Sequence, residues 1–420
     1  CLCNGNQFSC VIGLRRVCRR PRGISKCKKP SGQNAFEDYF DNGKKHSEKG
    51  EYEEAIDDYT RAIKINPDYA DAYYNRGNLY YNLEKYQEAL SDYSYAIKIK
   101  PNSSRTYLYR GDVYLHMEKY EEAIDDYTSA IKINPDYADA YYNRGYLYYA
   151  LEKYAEALSD YNSAINLNPN LAEAYAERGS LYYTLKKYEE ALSDFNNSIK
   201  IKPNIASEVY VERGNIYFDI EKYAEALSDY NFAINLNPNL AEAYAERGSL
   251  YYTLKKYEEA LSDFNNSIKI KPNIASEVYV ERGNIYFDIE KYAEALSDYN
   301  FAINLNPNLA EAYAERGNFY YNLEKYQEAL SDYSYAIKIK PNSSKTYLYR
   351  GDVYLHIEKY AEAIDDYTSA IKINPDYAVA YDNRGVAKEK LGLDGCGDFK
   401  KACDLGESKG CQLYRENGCD

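Results

Sequence analysis

The chain runs to 420 residues, of which 54 are tyrosine, one is methionine and none is tryptophan, and its formal net charge is −14. No stretch approaches the roughly 20 consecutive apolar residues of a membrane-spanning helix, so no transmembrane segment is expected and the folded body should be water-soluble. Residues 1–33 hold eight cations and no acid, so setting them aside turns −14 into −22 for residues 34–420; an acidic body repels phosphate backbones, which argues against nucleic-acid binding by it.

The basic segment comes first, with Arg15, Arg16, Arg19, Arg20, Arg22, Lys26, Lys28 and Lys29 among Cys1, Cys3, Cys10, Cys18 and Cys27. That cysteine spacing fits no zinc or disulfide framework. A cationic stretch can attract nucleic acid or an anionic membrane, but the plainer expectation is a disordered leader. Beginning at Cys1 without an initiator methionine, the chain reads as a fragment or a processed product, and a lipidated N-terminal cysteine stays open.

Beyond residue 33 a period takes over. Pro67, Pro101, Pro135, Pro169, Pro203, Pro238, Pro272, Pro307, Pro341 and Pro375 lie 34 or 35 residues apart, each preceded by a glycine 24 residues earlier, from Gly43 to Gly351, and an alanine 12 earlier, from Ala55 to Ala363. Such self-similarity marks a stacked array in which each unit is one supersecondary element and copies are added at little cost. The copies are close: YAEALSDYN recurs at Tyr154, Tyr223 and Tyr292, and the segment from Arg76 returns at Arg316.

One unit, Ala70 to Ser103, shows the elements. A first helix from Ala70 to about Leu83 carries Tyr73, Gly77 and Tyr80 on one face. A break at Glu84 and Lys85 leads to a second helix from about Tyr86 to Lys100, with Tyr86, Ala89, Leu90, Tyr93, Ala96, Ile97 and Ile99 as a wide apolar stripe. Pro101 stops it, lacking an amide donor and clashing with the preceding turn; Asn102 and Ser103 are N-cap candidates for the next helix. Gly77 and Ala89 let two antiparallel backbones approach, with Tyr73, Tyr80 and Tyr93 filling the space beside them.

Tyr73, Gly77, Tyr80, Ala89, Tyr93, Ala96 and Pro101 match the signature of the tetratricopeptide repeat. From about Phe36 to Pro375 the chain resembles ten consecutive units of that family, followed by an eleventh first helix, Ala378 to Leu391 with Gly385. The resemblance implies an all-α fold, a right-handed superhelical α-solenoid of stacked antiparallel helix pairs, acting as a protein-binding scaffold. The expected organisation is a basic cysteine-containing segment at 1–33, ten tandem units over 34–377, and the partial eleventh unit with cysteine-containing capping helices over 378–420. Two units depart by one extra residue, near Ile205–Ala206–Ser207 and Ile274–Ala275–Ser276. Ten units place arginine, such as Arg76, Arg178, Arg282 and Arg384, where an aliphatic residue is usual.

At 100° per residue, the second, sixth, ninth and thirteenth positions of each first helix point away from its partner, and the resemblance implies that this arc lines a concave peptide groove. In the central units it reads Glu173, Glu177, Ser180, Thr184; Glu208, Glu212, Asn215, Asp219; Glu242, Glu246, Ser249, Thr253; and Glu277, Glu281, Asn284, Asp288, continuing with Glu311, Glu315 and Asn318. The groove is therefore expected to be acidic and to take a basic or mixed-charge segment of another protein, weakening as salt rises; equally, glutamates at these positions can simply solvate a helix face. Some members of the family clamp acidic C-terminal carboxylates with lysine, asparagine and arginine. Here Phe40, Lys44 and Tyr109 depart from that set and only Asn75 fits, so acidic tails are not the expected ligand. The recurring arginines, paired with Asp58, Asp92, Asp126 and their equivalents to Asp366, are expected to form a ladder of contacts between units, setting stacking angle more than stability.

In the tail, FKKACDLGESKGC (Phe399 to Cys411) resembles the Sel1-like repeats of cysteine-rich bacterial proteins, in which cysteines eight apart bridge antiparallel helices. By that resemblance Cys403 would face Cys411 across a turn near Gly406 to Lys409, with Cys396 and Cys419 mirrored further out, capping the array in an oxidising compartment. The alternative, four reduced thiols packed between helices in the cytosol, stays equally open, and zinc is disfavoured by the absence of a CxxC pair. Localisation is accordingly cytoplasmic or, if the tail is oxidised, extracytoplasmic.

The three histidines, His46, His116 and His356, form no HExxH, and no phosphate-cradling loop or nucleophile elbow appears. The acids repeat in register, as a solvated face does. The reading is a non-enzymatic scaffold without cofactor, metal or small-molecule substrate. The alternatives are a structural spacer whose repeat number sets length, or a regulatory subunit of a larger complex.

Overall fold

The computed structural model describes residues 35–419, and among them the regular elements are all α-helices. The basic leader predicted over 1–33 lies outside the described residues. The helices group into two compact units, Cys1–Leu167 and Asn168–Asp420.

The first unit holds α1 (Ala35–Glu48), α2 (Tyr52–Ile65), α3 (Ala70–Asn82), α4 (Tyr86–Ile99), α5 (Ser104–His116), α6 (Tyr120–Ile133), α7 (Ala138–Ala150) and α8 (Tyr154–Leu167). The second holds α9 (Ala172–Thr184), α10 (Tyr188–Ile201), α11 (Ser207–Asp219), α12 (Tyr223–Leu236), α13 (Ala241–Thr253), α14 (Tyr257–Ile270), α15 (Ser276–Asp288), α16 (Tyr292–Leu305), α17 (Ala310–Asn322), α18 (Tyr326–Ile339), α19 (Ser344–His356), α20 (Tyr360–Ile373), α21 (Ala378–Lys390), α22 (Cys396–Asp404) and α23 (Ser408–Glu416). Each odd-numbered helix packs against the even-numbered helix that follows, and within a unit successive odd-numbered helices approach one another more closely than the even-numbered ones do. The odd-numbered helices therefore line the inner face.

The turn inside each pair is tight because one residue takes the left-handed conformation. In α3–α4 this is Glu84, at φ 57°, and the Lys85 amide donates back to the Tyr80 carbonyl at 2.8 Å, closing the last turn. Gly50 and Gly392 hold the same place in the first and last pairs. Between pairs, the Asn66 side chain accepts from the Asp68 amide, and Ser103 caps α5 by accepting from the Thr106 amide; Asn102 plays no part in that cap.

Inside each pair the second-helix ring lies directly on the first-helix glycine. A Cβ at Gly77 would stand 2.9 Å from Tyr93 Cε1, and at Gly179 3.0 Å from Phe195 Cε1. These rings are fully buried, as are Ala89 and Ala191, each ring contributing about 1.5–3 kcal/mol of burial. Tyr73 and Tyr80 have another place from the one their spacing suggests. They are half-buried and flank the Arg76 guanidinium, each ring centroid 5.8 Å from it.

The arginine ladder is also arranged differently from expectation. Arg76 Nε and Nη2 donate to Asp92 of the same pair at 2.8 and 2.7 Å, and only Nη1 reaches back to the preceding pair, donating to Thr60 Oγ1 at 2.8 Å. The same fork recurs at Arg110, Arg247 and Arg350, with Ser94, Asn231 and Ser334 as the respective third acceptors. The aspartates are buried, so these are interior pairs and not the weak surface contacts of the prediction. Where the first pair has Asn42 in place of arginine, His46 takes over, its Nδ1 2.9 Å from Asp58.

The eleventh first helix is not left alone. Gly385 of α21 receives Phe399 of α22, and Arg384 forks onto Asp398. Both spacings are 14 residues where the other pairs use 16, because α22 lacks the first turn of the other second helices and Gly395 stands where Ala89 stands in its own pair. The helix α23 then packs on both α21 and α22, as the first helix of a next pair would.

Candidate functional site

In the second unit the sixth-position glutamates of α9, α11, α13, α15 and α17 form an inner row: Glu177, Glu212, Glu246, Glu281 and Glu315, all half-buried. Burial, with Glu212 beside it, pushes the Glu177 carboxyl up to about 7. Burial also raises Glu246 to about 7, reinforced by Glu281 and Asp219. Glu212 and Glu281 are raised by burial as well, but each is held down in part by a serine hydroxyl, Ser180 and Ser249 respectively. Each hydroxyl also lies 3.1 Å from a carbonyl of its own helix, Ala176 or Ala245. The row thus consists of carboxylates out of bulk water with a neighbouring acid and few donors, an arrangement that favours an incoming cation.

The outer row differs. Glu173 and Glu242 are already engaged by Lys202 and Lys271, at 2.9 and 2.7 Å, and those ammonium groups lower both carboxyls. Glu208 and Glu277 accept from the adjoining Ser207 and Ser276 at 3.2 Å. Glu311 is exposed and raised by burial of its carboxyl and by Glu315, with Lys345 and Lys340 opposing.

The ninth position serves the core as much as the inner face. Asn215, Asn284 and Asn318 accept the hydroxyls of Tyr230, Tyr299 and Tyr333 at 2.8, 2.8 and 2.6 Å. Where the ring is Phe195 or Phe264 there is no hydroxyl to receive, and the ninth residue is Ser180 or Ser249, turned onto a groove glutamate instead. This pairing of Tyr with Asn and Phe with Ser is visible in the sequence fifteen residues apart once the ring is known to lie on the glycine. Asn318 also donates to Glu315 at 2.9 Å. A concavity of about 470 Å³ continues this face, lined by Tyr252, Asn284, Asp288, Glu315, Asn318 and Asp352 among others.

The first unit has a different inner surface. Lys44, Lys100 and Arg105 gather with Asn75 around a hollow of about 460 Å³ whose floor includes Phe40, Tyr69 and Tyr74. The Arg105 guanidinium lies 5.2 Å from the Tyr74 ring and 5.8 Å from Tyr109, and Lys44 lies over Phe40 at 4.2 Å. Lys100 and Arg105 stand outside the positions of a carboxylate clamp, so that motif does not point to them in the sequence.

At the tail, the structure brings the four cysteines together in two disulfides, Cys403–Cys411 and Cys396–Cys419, with Cα separations of 4.4 and 5.4 Å. Among the described residues no group of three His, Cys, Asp or Glu side chains is placed to hold a metal ion, and no helix is long and apolar enough to cross a membrane.

Two family models match the chain. That described as "TPR repeat" covers residues 43–84, 111–151, 214–255, 283–324 and 351–392, and that described as "Tetratricopeptide repeat" covers 70–103, 138–171, 172–205, 241–274 and 310–343. No curated protein matches the chain as a sequence relative. Among solved structures, a chain of the APC/C hetero-tetramer Cut9–Hcn1 is 12% identical, with 89% of this chain and 94% of that one covered at a TM-score of 0.50. Yeast Tom70 is 16% identical over 91% of this chain and 94% of its own, at 0.46. A tetratricopeptide repeat protein from Parabacteroides merdae is 23% identical over 60% of this chain and 99% of its own, at 0.47. At 12% identity the likeness to the Cut9–Hcn1 chain speaks to the fold alone.

Proposed function

The chain belongs to the tetratricopeptide repeat family, whose members generally mediate protein–protein interaction, and from that premise we propose that it is a non-enzymatic scaffold whose second unit binds a basic or mixed-charge segment of another protein along α9 to α17. The observation that carries this reading is the inner row of half-buried glutamates. A cationic side chain laid against Glu177 or Glu246 replaces like-charge repulsion with attraction where solvent screens poorly. The neighbouring Asn and Ser side chains supply polar contacts to an extended backbone. On the same reading the tail hairpin is a Sel1-like element closing the end of the array.

The test is fluorescence anisotropy with two labelled peptides of equal length, one rich in lysine and arginine, the other in glutamate. The basic peptide is expected to bind the full chain, with affinity falling as salt rises. Reversing Glu177, Glu212, Glu246 and Glu281 to lysine should weaken it by roughly tenfold or more. Equal binding by the reversed chain would remove the groove from the account and leave the spacer reading, in which unit number alone matters.

A further inference from the structure

The helix α23 is held in place chiefly by sulfur. It is nine residues long, and Gly410 is its one buried residue. A helix this short is not stable by itself in water, and a buried glycine brings almost no apolar area with it. Gly410 sits against α22 so closely that a Cβ would lie 2.6 Å from the Ala402 methyl. Leu413 and Tyr414 are half-buried, and the ammonium of Lys409 lies 3.1 Å from Asp382 of α21. The Lys409 side chain is 60% exposed, so solvent screens its end of the pair, although Asp382 itself is buried. Against these weak contacts stand two covalent ones that bracket the helix, Cys403–Cys411 at its start and Cys396–Cys419 just past its end. None of the four cysteines is fully buried.

What α23 covers is distinctive too. Asp382 stands where the other first helices carry Tyr74, Leu108, Val211 or Leu348, in a position facing the next pair. It is 2% exposed and one of its carboxylate oxygens, Oδ1, has no hydrogen-bond partner. An acid at this apolar position suits a surface that is covered at some times and wetted at others.

We propose that α23 is a redox-released cap on the last helix pair. A dithiol reductant of the dithiothreitol class attacks one sulfur of each bridge. The mixed disulfide then resolves by ring closure of the reductant, so that each S–S bond takes up two electrons and two protons to give two thiols while one dithiol becomes a cyclic disulfide. Without the bridges, the small noncovalent contact surface of α23 does not hold nine residues. The helix leaves, and Asp382, Ala402 and the edge of Phe399 meet water while α1 to α20 stay folded.

The experiment uses the full chain with Cys1, Cys3, Cys10, Cys18 and Cys27 replaced by serine, so that the tail thiols alone respond. Hydrogen exchange is followed with and without dithiothreitol, with alkylation and mass measurement reporting that both bridges have opened. Amides of 408–416 are expected to lose protection by about tenfold or more on reduction, those of α1 to α20 to be unchanged, and reoxidation to restore the first state. A second variant, with Cys396, Cys403, Cys411 and Cys419 all replaced by serine, should show the released pattern without reductant. Retained protection of α23 in the fully alkylated chain would overturn the proposal. So would four free thiols in the chain as isolated, or loss of protection spreading across the whole array.

Discussion

Each first-helix glycine from Gly43 to Gly385 faces a ring, but not all at the same distance, and the difference predicts which of them tolerate a methyl group. At Gly111 a Cβ would lie 2.6 Å from Tyr127 Cε1; at Gly145 the nearest ring atom, on Tyr161, is 3.1 Å away. Alanine gains about 1 kcal/mol of helix propensity at either site, while overpacking costs about 1–3 kcal/mol where the ring cannot move. Gly111→Ala is therefore expected to lower the urea midpoint of unfolding and Gly145→Ala to leave it nearly unchanged; the reverse order would contradict the packing described. The inner-row carboxyls make a prediction in pH. Glu177 and Glu246, raised to about 7 from an ordinary 4.5, keep their protons to a higher pH in the fold than in the unfolded chain. Their contribution to stability is fully present below about pH 4.5 and is lost as pH rises through 7. Affinity for a cationic peptide should run the opposite way, increasing from pH 6 to 8 as the carboxyls ionise. Glu177→Gln with Glu246→Gln should flatten both trends, read by thermal unfolding and by anisotropy; a peptide affinity that rises just as steeply in that variant would place the titration elsewhere.

The helix pair is pinned as a single element by the Arg–Asp fork. Arg110 gives Asp126 two bonds of 2.7 and 2.8 Å, with the aspartate almost wholly buried. Arg110→Met strands that acid, at about 3 kcal/mol or more, whereas Arg110→Met with Asp126→Leu should regain most of the loss. A double variant as unstable as the single would mean that something other than the pair holds α5 to α6. This fork also marks how far the sequence could be read. The period of the prolines, glycines and alanines was enough for the helix pairs, since helix ends and close approaches are local. That Arg76 meets Asp92 of its own pair was not legible, because counting around one helix says which flank a side chain takes but not which neighbour reaches it first. The identity of the acidic arc was legible from the same count. Its division was not: Asn215 committed to Tyr230, Glu173 to Lys202, and Glu177 beside Glu212 depend on side chains of other helices, 15 to 35 residues away. The role of Phe399 escaped because α22 is shortened, which shifts the glycine-to-ring spacing from 16 to 14.

At the scale of the whole molecule the chain contains its own control, because residues 172–240 and 241–309 are the same 69 residues repeated. Deleting 241–309 joins Leu240 to Ala310, the same junction that Leu240–Ala241 and Leu309–Ala310 make already. The helix α12 then meets α17, which shares the stretch AEAYAERG with α13, so no new kind of interface is created. Since stability in such an array is close to a sum of unit and neighbour terms, the shortened chain should fold with the same helix content per residue and a modestly lower unfolding midpoint. What it loses is Glu246 and Glu281, while Glu177, Glu212 and Glu315 remain. If those carboxylates act on one bound segment, affinity for the basic peptide should fall by roughly tenfold, with its salt dependence reduced in step. If the repeated block sets only length, affinity will be unchanged, and the duplication will be one of spacing, not of binding surface.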